Sequence, residues 1–155
     1  DWRVYSTSPL ADTRGGLSPN FKQYNATTAS TVLGSGNGFL YSVAPSLTVG
    51  LAGVTSKIYD ANTAASLLEG NFTFSGAIDG DTVGLNLSGM SASYNNKNVG
   101  TGKTVTAAGL ALAGATQGGV AVYGYQLANT STSKPNKPPI KPDIREMPSA
   151  SPARP

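Results

Sequence analysis

The sequence predicts an all-β fold, and three observations carry that prediction. Short segments alternate apolar and polar side chains with period two, the pattern of a strand with one buried face. Between them lie clusters of Gly, Asn, Asp and Ser, the residues that tight turns need, and the chain of 155 residues holds 19 Gly. No window shows a helical period, although Ala61 to Leu68 has room for one turn. Because clean alternation implies one buried face per strand, the expected architecture is an antiparallel β-sandwich-like body, two sheets packed face to face. A β-grasp-like sheet with one short helix is the alternative. An extended Pro-rich C-terminal tail follows either body.

The elements fall into three stretches. Residues 1–54 read as a β-rich connector. Trp2-Arg3-Val4-Tyr5-Ser6 alternates until Pro9 and Gly15-Gly16 close it off, and Phe21-Lys22-Gln23-Tyr24-Asn25 puts Phe21 and Lys22 on opposite faces. Gly34 to Gly38 reads as a flexible turn, followed by the apolar run Phe39 to Val43 and a short strand from Leu47 to Leu51. Residues 55–129 form a β module. Asn71 to Ser75 alternates, Asp79-Gly80-Asp81 is a turn signal, and Val83, Leu85 and Leu87 share one strand face. Val105 to Leu112 and Val120 to Leu127 complete it.

Residues 130–155 differ in kind. They hold seven of the 10 Pro and none of the Gly, with repeated Lys-Pro steps. Proline lacks the backbone donor that a ladder needs, so this segment is expected to run as polyproline II or stay disordered. Contact with the chain's own body or with a partner is expected to hold it.

Charge follows the same division. Arg3, Arg14, Lys22, Lys57, Lys97 and Lys103 balance Asp1, Asp12, Asp60, Glu69, Asp79 and Asp81, so the net charge of +3 lies wholly in the tail. A neutral body lacks the concentrated basic face that nucleic acid requires. With no Cys, a disulfide scaffold and a thiolate metal site are both excluded. No apolar run approaches the length of a membrane span. The chain starts at Asp1 without Met, a basic leader or an apolar leader segment, so a fragment of a longer exported chain is expected.

Two motifs organise the module. One is Lys57-Ile58-Tyr59-Asp60-Ala61-Asn62-Thr63-Ala64-Ala65; the other is Asn95-Asn96-Lys97-Asn98-Val99-Gly100-Thr101-Gly102-Lys103. Taken together they resemble the YDG-type module of filamentous-haemagglutinin-like adhesins, very large secreted bacterial surface proteins. The matching positions are Lys57, Tyr59, Asp60, Thr63, Ala64 and Ala65, then Lys97 through Lys103. Ala61 stands where the family usually has Gly, a departure that bears on the backbone of the turn after Asp60. Trp2, Val4, Tyr5 and Ser6, then Asp12 to Leu17, Phe21 to Asn25 and Gly36 to Tyr41 are similar to the connector that precedes this module near the C-terminal end of such adhesins. The resemblance covers residues 1 to about 129 and implies a bacterial cell-surface, outer-membrane-associated location.

Candidate chemistry is sparse. Gly100-Thr101-Gly102-Lys103-Thr104 ends like a phosphate-binding loop, but Lys97 occupies the position of the first Gly and a strand follows, so it reads as a hairpin turn. Asp79 and Asp81, with Asp60 or Glu69, are the weak candidates for a hard cation such as Ca²⁺; a plain turn is the better reading, and no metal or cofactor is expected. There is no His or Cys, so acid-base and nucleophilic chemistry falls to carboxylates and Lys. Asp79 and Asp81 sit within one turn, not across a cleft as a glycosidase pair does. The chain therefore reads as a non-enzyme. Among four glycosylation sequons (Asn25, Asn71, Asn86, Asn129), Asn25 and Asn129 are the candidates in expected exposed turns. The tyrosines and Trp2 read as cross-strand packing residues before they read as a sugar-stacking platform.

The expected function is that of a non-catalytic stalk or C-terminal anchor module in a surface adhesin. One alternative is a fibre or accessory subunit that docks on a protein partner or neighbouring subunit through its tail, with Lys134, Pro135, Lys137, Pro138, Pro139, Lys141, Pro142 and Arg145 as the contacts. Another is a carbohydrate-binding module that meets a surface glycan.

Overall fold

Alternation places most strands where the sequence puts them. In the computed structural model, which describes residues 1–53 and 55–136, the first half holds β1 (Arg3–Ser6), β2 (Phe21–Gln23), β3 (Gly38–Tyr41), β4 (Ser46–Leu51) and β5 (Phe72–Ser75). The second half holds β6 (Thr82–Asn86), β7 (Ser91–Tyr94), β8 (Lys103–Ala108), β9 (Ala111–Gln117), β10 (Val120–Tyr123), β11 (Gln126–Leu127) and β12 (Ser131–Asn136). The only helical turns among the described residues are two 3₁₀ turns, at Pro9–Ala11 and Glu69–Asn71. The fold is all-β, and the helix of the β-grasp alternative is not found among the described residues.

Two of the sheets are mixed, where antiparallel ones were expected, and the third is antiparallel throughout. The largest has the order β1-β3-β2-β10-β9-β6. Its first four strands pair in parallel, and β10-β9 and β9-β6 pair antiparallel. Two three-stranded sheets, β11-β4-β5 and β12-β8-β7, complete the body. Parallel strands are ordinarily buried on both faces, and β3 is buried throughout its length. Phe39 and Tyr41 pack with Tyr24 and Val122 on one side, while Leu40 packs with Phe21 and Ala26 on the other. Each such side chain contributes about 1.5–3 kcal/mol by leaving water. Gly38 permits the close approach: a Cβ there would lie 2.2 Å from the Phe21 ring. The Gly34–Gly38 stretch thus seats a ring as well as turning the chain.

A second core joins the other sheets in a sandwich-like arrangement. Val49 of β4, Phe72 of β5, Leu85 of β6, and Val105 and Ala107 of β8 meet in one cluster with Leu67 and Leu110. The segment Val105 to Leu112 is two strands and not one. Gly109 turns the chain between β8 and β9 at φ +74°, and a Cβ there would meet the Gly89 carbonyl oxygen at 2.6 Å. Strand β4 pairs with β5, so residues 46–51 share a sheet with residues 72–75.

The start of the tail is a further correction. Residues 131–136 form β12, antiparallel to β8 from Ser131↔Ala108 to Asn136↔Lys103. Pro135 lies in an outer strand, the place in a sheet where proline is found. Lys134 lies beside Leu51, Leu67 and Val105, so its stem covers apolar core. Lys137, Pro138, Pro139, Lys141, Pro142 and Arg145 lie outside the described residues.

Candidate functional site

The two motifs, about thirty residues apart in sequence, build one surface cleft. Asx chemistry shapes the first. The Asp60 carboxylate accepts from the Asn62 backbone N–H (3.2 Å) and side chain (2.7 Å), and Asn62 Oδ1 accepts from the Ala64 N–H at 3.0 Å. Lys57 Nζ closes the loop on Asp60 Oδ1 (2.7 Å), the Asn62 carbonyl (2.9 Å) and Asn62 Oδ1 (2.6 Å). Those Lys57 and Asn62 contacts hold the exposed Asp60 carboxyl below its ordinary value. Ala61 adopts φ +61°, the left-handed backbone that Gly favours, so the turn keeps glycine geometry with an alanine in it.

The second motif is the connection between β7 and β8, a hairpin closed by the Asn95 N–H on the Thr104 carbonyl at 2.9 Å. Lys103 Nζ donates to Asn96 Oδ1. No helix follows and Lys103 opens a strand, which removes the context of a phosphate-binding loop. The first motif is laced to β7 by Tyr94 N–H to Thr63 O (2.7 Å) and Ala65 N–H to Ala92 O (2.9 Å). Lys57 Nζ lies 5.9 Å from the centre of the Tyr94 ring.

The resulting cleft has a volume of about 250 Å³ and is lined by Lys57, Tyr59, Asn62, Tyr94, Lys97 and Val99, among others. Of its lining, Tyr59 is 59% and Val99 82% exposed, and Ile58, next to Tyr59 in the chain, is 92% exposed. The charged residues that line it are Lys57, Lys97 and Lys103, and Lys57 is paired with Asp60 of the adjoining turn.

The metal candidates lie elsewhere and are already engaged. Asp79 and Gly80 both take positive φ (57° and 70°), and the Asp81 N–H donates to the Ile78 carbonyl at 3.1 Å. This is the backbone of a type I′ turn, for which Asp-Gly is suited. The turn delivers both carboxylates to Lys22 of β2, whose Nζ meets Asp81 Oδ1 and lies 2.6 Å from Asp79 Oδ2. Arg14 also bonds Asp79 Oδ2. Two side-chain cations therefore stand where a metal was considered, and no group of three potential metal-ligating side chains exists among the described residues.

The Lys22 and Asp81 side chains have no exposed area. Asp81 Oδ2 accepts from the Tyr24 hydroxyl (2.6 Å) and from the Tyr125 hydroxyl (2.9 Å). Burial, reinforced by the Asp81 hydrogen bond and charge, pushes the Tyr24 phenol well above its ordinary value and Tyr125 up to about 12. Both stay protonated donors at neutral pH. Burial alone would raise the Asp79 carboxyl, but hydrogen bonds from Lys22 and Arg14 outweigh it and hold it below the ordinary range. Sequence reasoning missed this cluster, because a lysine alternating with Phe21 reads as the solvent side of a strand. The signal against that reading is the absence of any exposed face on a parallel strand flanked by two others.

Of the sequon candidates, Asn25 is exposed and takes left-handed backbone at φ +51°. Asn129 acts as a latch: its side chain accepts from the Val49 N–H (2.9 Å) and donates to the carbonyls of Val49 (2.9 Å) and Ser131 (2.8 Å). Its amide nitrogen is thus committed to joining β4 to the chain entering β12.

An all-β body with mixed sheets and a motif-lined cleft defines the class, and comparison supplies the family. The YDG domain model matches residues 43–132, from just before β4 into β12. The chain belongs to the YDG domain family. No curated protein and no solved structure matches it. No helix among the described residues is long and apolar enough to cross a membrane.

Proposed function

We propose that the chain is a non-catalytic adhesive and spacer module of a large secreted bacterial surface protein, with the motif cleft as its contact point. The observation that carries this reading is the exposure of Tyr59 and Val99 in the cleft lining and of Ile58 next to Tyr59 in the chain. These apolar side chains do nothing for the core, and clustered exposure of this kind marks interaction surfaces. The motif residues beneath them spend their hydrogen bonds on holding the loops in place, which preorganises the surface. Family membership and the resemblance to filamentous-haemagglutinin-like adhesins support the cell-surface setting.

The test is adhesion of coated beads to a glycan array and to a layer of the same chain. The intact protein is compared with an Ile58→Ser/Tyr59→Ser/Val99→Ser variant. The reading expects the variant to lose adhesion at least tenfold with an unchanged unfolding midpoint. Equal adhesion by both proteins removes the cleft from the account.

A second reading, docking of the tail on a neighbouring subunit, is favoured by one observation. Strand β12, the start of the tail, is the outer strand of its sheet among the described residues, and a sheet edge is where strand addition by another chain takes place.

A further inference from the structure

We propose that Lys22 and Asp81 are joined by an intramolecular amide bond that the folded chain forms by itself, with Asp79 as the proton acceptor. Three features of the buried cluster lead there. First, the two partners touch, Nζ against Oδ1, and neither side chain has any exposed area. An ion pair so placed gains little, because desolvation offsets the Coulomb attraction. The contact instead holds a nucleophilic nitrogen against a carboxyl group where water has no access, the proximity that amide formation needs.

Second, the groups that acylation of an amine requires stand in position. The Tyr24 and Tyr125 hydroxyls lie 2.6 and 2.9 Å from Asp81 Oδ2, the oxygen that carries negative charge when Nζ adds to Cγ. On the other side of the nucleophile, Asp79 Oδ2 lies 2.6 Å from Nζ and is anchored by Arg14. Third, Trp2, Phe39, Tyr41, Ile78 and Val122 pack with the two tyrosines, so the water released has an apolar wall behind it.

The step balances without any co-reactant. Lys22 passes one Nζ proton to Asp81 Oδ1, giving an amine and a carboxylic acid. The Nζ lone pair forms a bond to Cγ, and the electron pair displaced to Oδ2 is held by the two phenols. Asp79 takes a second proton from Nζ and delivers it to the Oδ1 hydroxyl. The Cγ–Oδ1 bond breaks, water leaves, Cγ=Oδ2 reforms, and Asp79 returns to a carboxylate. Lys22 lies before the span matched by the YDG model and Asp81 lies inside it, so the bond fastens the parallel strands of the first forty residues to the domain. The link closes a loop across a separation of 59 residues, which constrains the unfolded chain as other covalent crosslinks do.

Mass spectrometry of the intact, denatured full chain decides the matter. The expected mass is lower than the sequence mass by one water. Tryptic digestion should yield a branched fragment in which residues 15–57, uncut at Lys22, carry residues 58–97. Ring closure at Asp79-Gly80 also loses one water, so a Lys22→Met variant separates the two. The amide predicts full sequence mass in that variant, and ring closure predicts the same deficit. In Asp79→Gly, whose backbone suits the left-handed position, the amide should form about a hundredfold or more slowly. Full sequence mass in the wild-type chain, or a deficit that persists in Lys22→Met without the branched fragment, overturns the proposal.

Discussion

Among the described residues, lysine meets aspartate in two opposite surroundings. Lys22 meets Asp79 and Asp81 inside the parallel-stranded core, whereas Lys57 meets Asp60 in a surface loop, 2.7 Å apart with 27% and 47% of their side chains exposed. The residue types are the same and the consequences differ. Inside, each charged group depends on the others, since an unpaired ion in an apolar setting costs several kcal/mol, about 3–5 when one partner is removed. Outside, water replaces any partner that is lost. Burial, and not the presence of a salt bridge, decides which pair the fold needs.

The largest expected effect is therefore at the buried pair. Lys22→Met keeps most of the stem's volume but leaves Asp79 with Arg14 alone and Asp81 with only the phenols. A loss of about 3–5 kcal/mol follows from the orphaned charge, read from the denaturant midpoint. A loss no greater than that of the surface variant described last would break the comparison.

Next in size is Tyr24→Phe. It removes one of two donors on Asp81 Oδ2 while keeping the ring that stacks on Tyr41 at 5.7 Å. An expected cost of about 1–3 kcal/mol reflects a buried acceptor left short of a partner. This variant also sharpens the pH dependence. Tyr24 and Tyr125 titrate higher in the folded state than unfolded, so their contribution is fully present below the ordinary tyrosine value of about 10. It is lost as pH rises from there to about 12, where Tyr125 ionises. Asp79 works in the opposite direction, because its folded value is depressed. Its contribution is present above the ordinary carboxylate value of about 3.9 and is lost as pH falls through the lower folded one. A pH series of urea midpoints should show both flanks, with the alkaline one weakened in Tyr24→Phe.

How much of this was legible in the sequence differs between the two regions. The motif halves, the strand alternation and the Asp79-Gly80 turn all declare themselves locally, because turn chemistry and period-two patterning act over a few residues. Parallel pairing of β1, β3, β2 and β10 does not, since such connections ordinarily announce themselves through a crossover helix and none occurs among the described residues. Strand β7 escaped because Ser91 and Ser93 alternate with small or half-buried partners. Strand β12 escaped because prolines argue against a ladder unless the strand is known to lie at an edge. The partnership of Lys22 with residues 57 and 59 positions away depends on sheet order, which no local pattern encodes.

A smaller effect, of opposite sign, lies in the cleft. Ala61 sits at φ +61°, where a Cβ crowds the following carbonyl at a cost of about 1–2 kcal/mol, partly offset by the greater freedom that glycine loses on folding. Ala61→Gly should therefore stabilise the chain by about 0.5–1 kcal/mol, a rise in midpoint that thermal unfolding can resolve. A fall in midpoint would mean that the loop relaxes from the left-handed region in solution.

The smallest effect belongs to Lys57→Met. Its ammonium bonds Asp60 and Asn62, yet the Asp60 turn is independently closed by two bonds from Asn62, and Asn62 also accepts from Ala64. Removing the cation frees a carboxylate that water solvates at once. The unfolding midpoint should not move beyond experimental scatter, while Asp60 should titrate closer to its ordinary value in an NMR pH series, since the leading cause of its depression is gone. If the midpoint instead falls as far as it does for Lys22→Met, exposure is not what separates the two pairs. The cleft loops would then be structural members of the fold, and their exposed apolar side chains would have to be explained by packing against the rest of a longer chain.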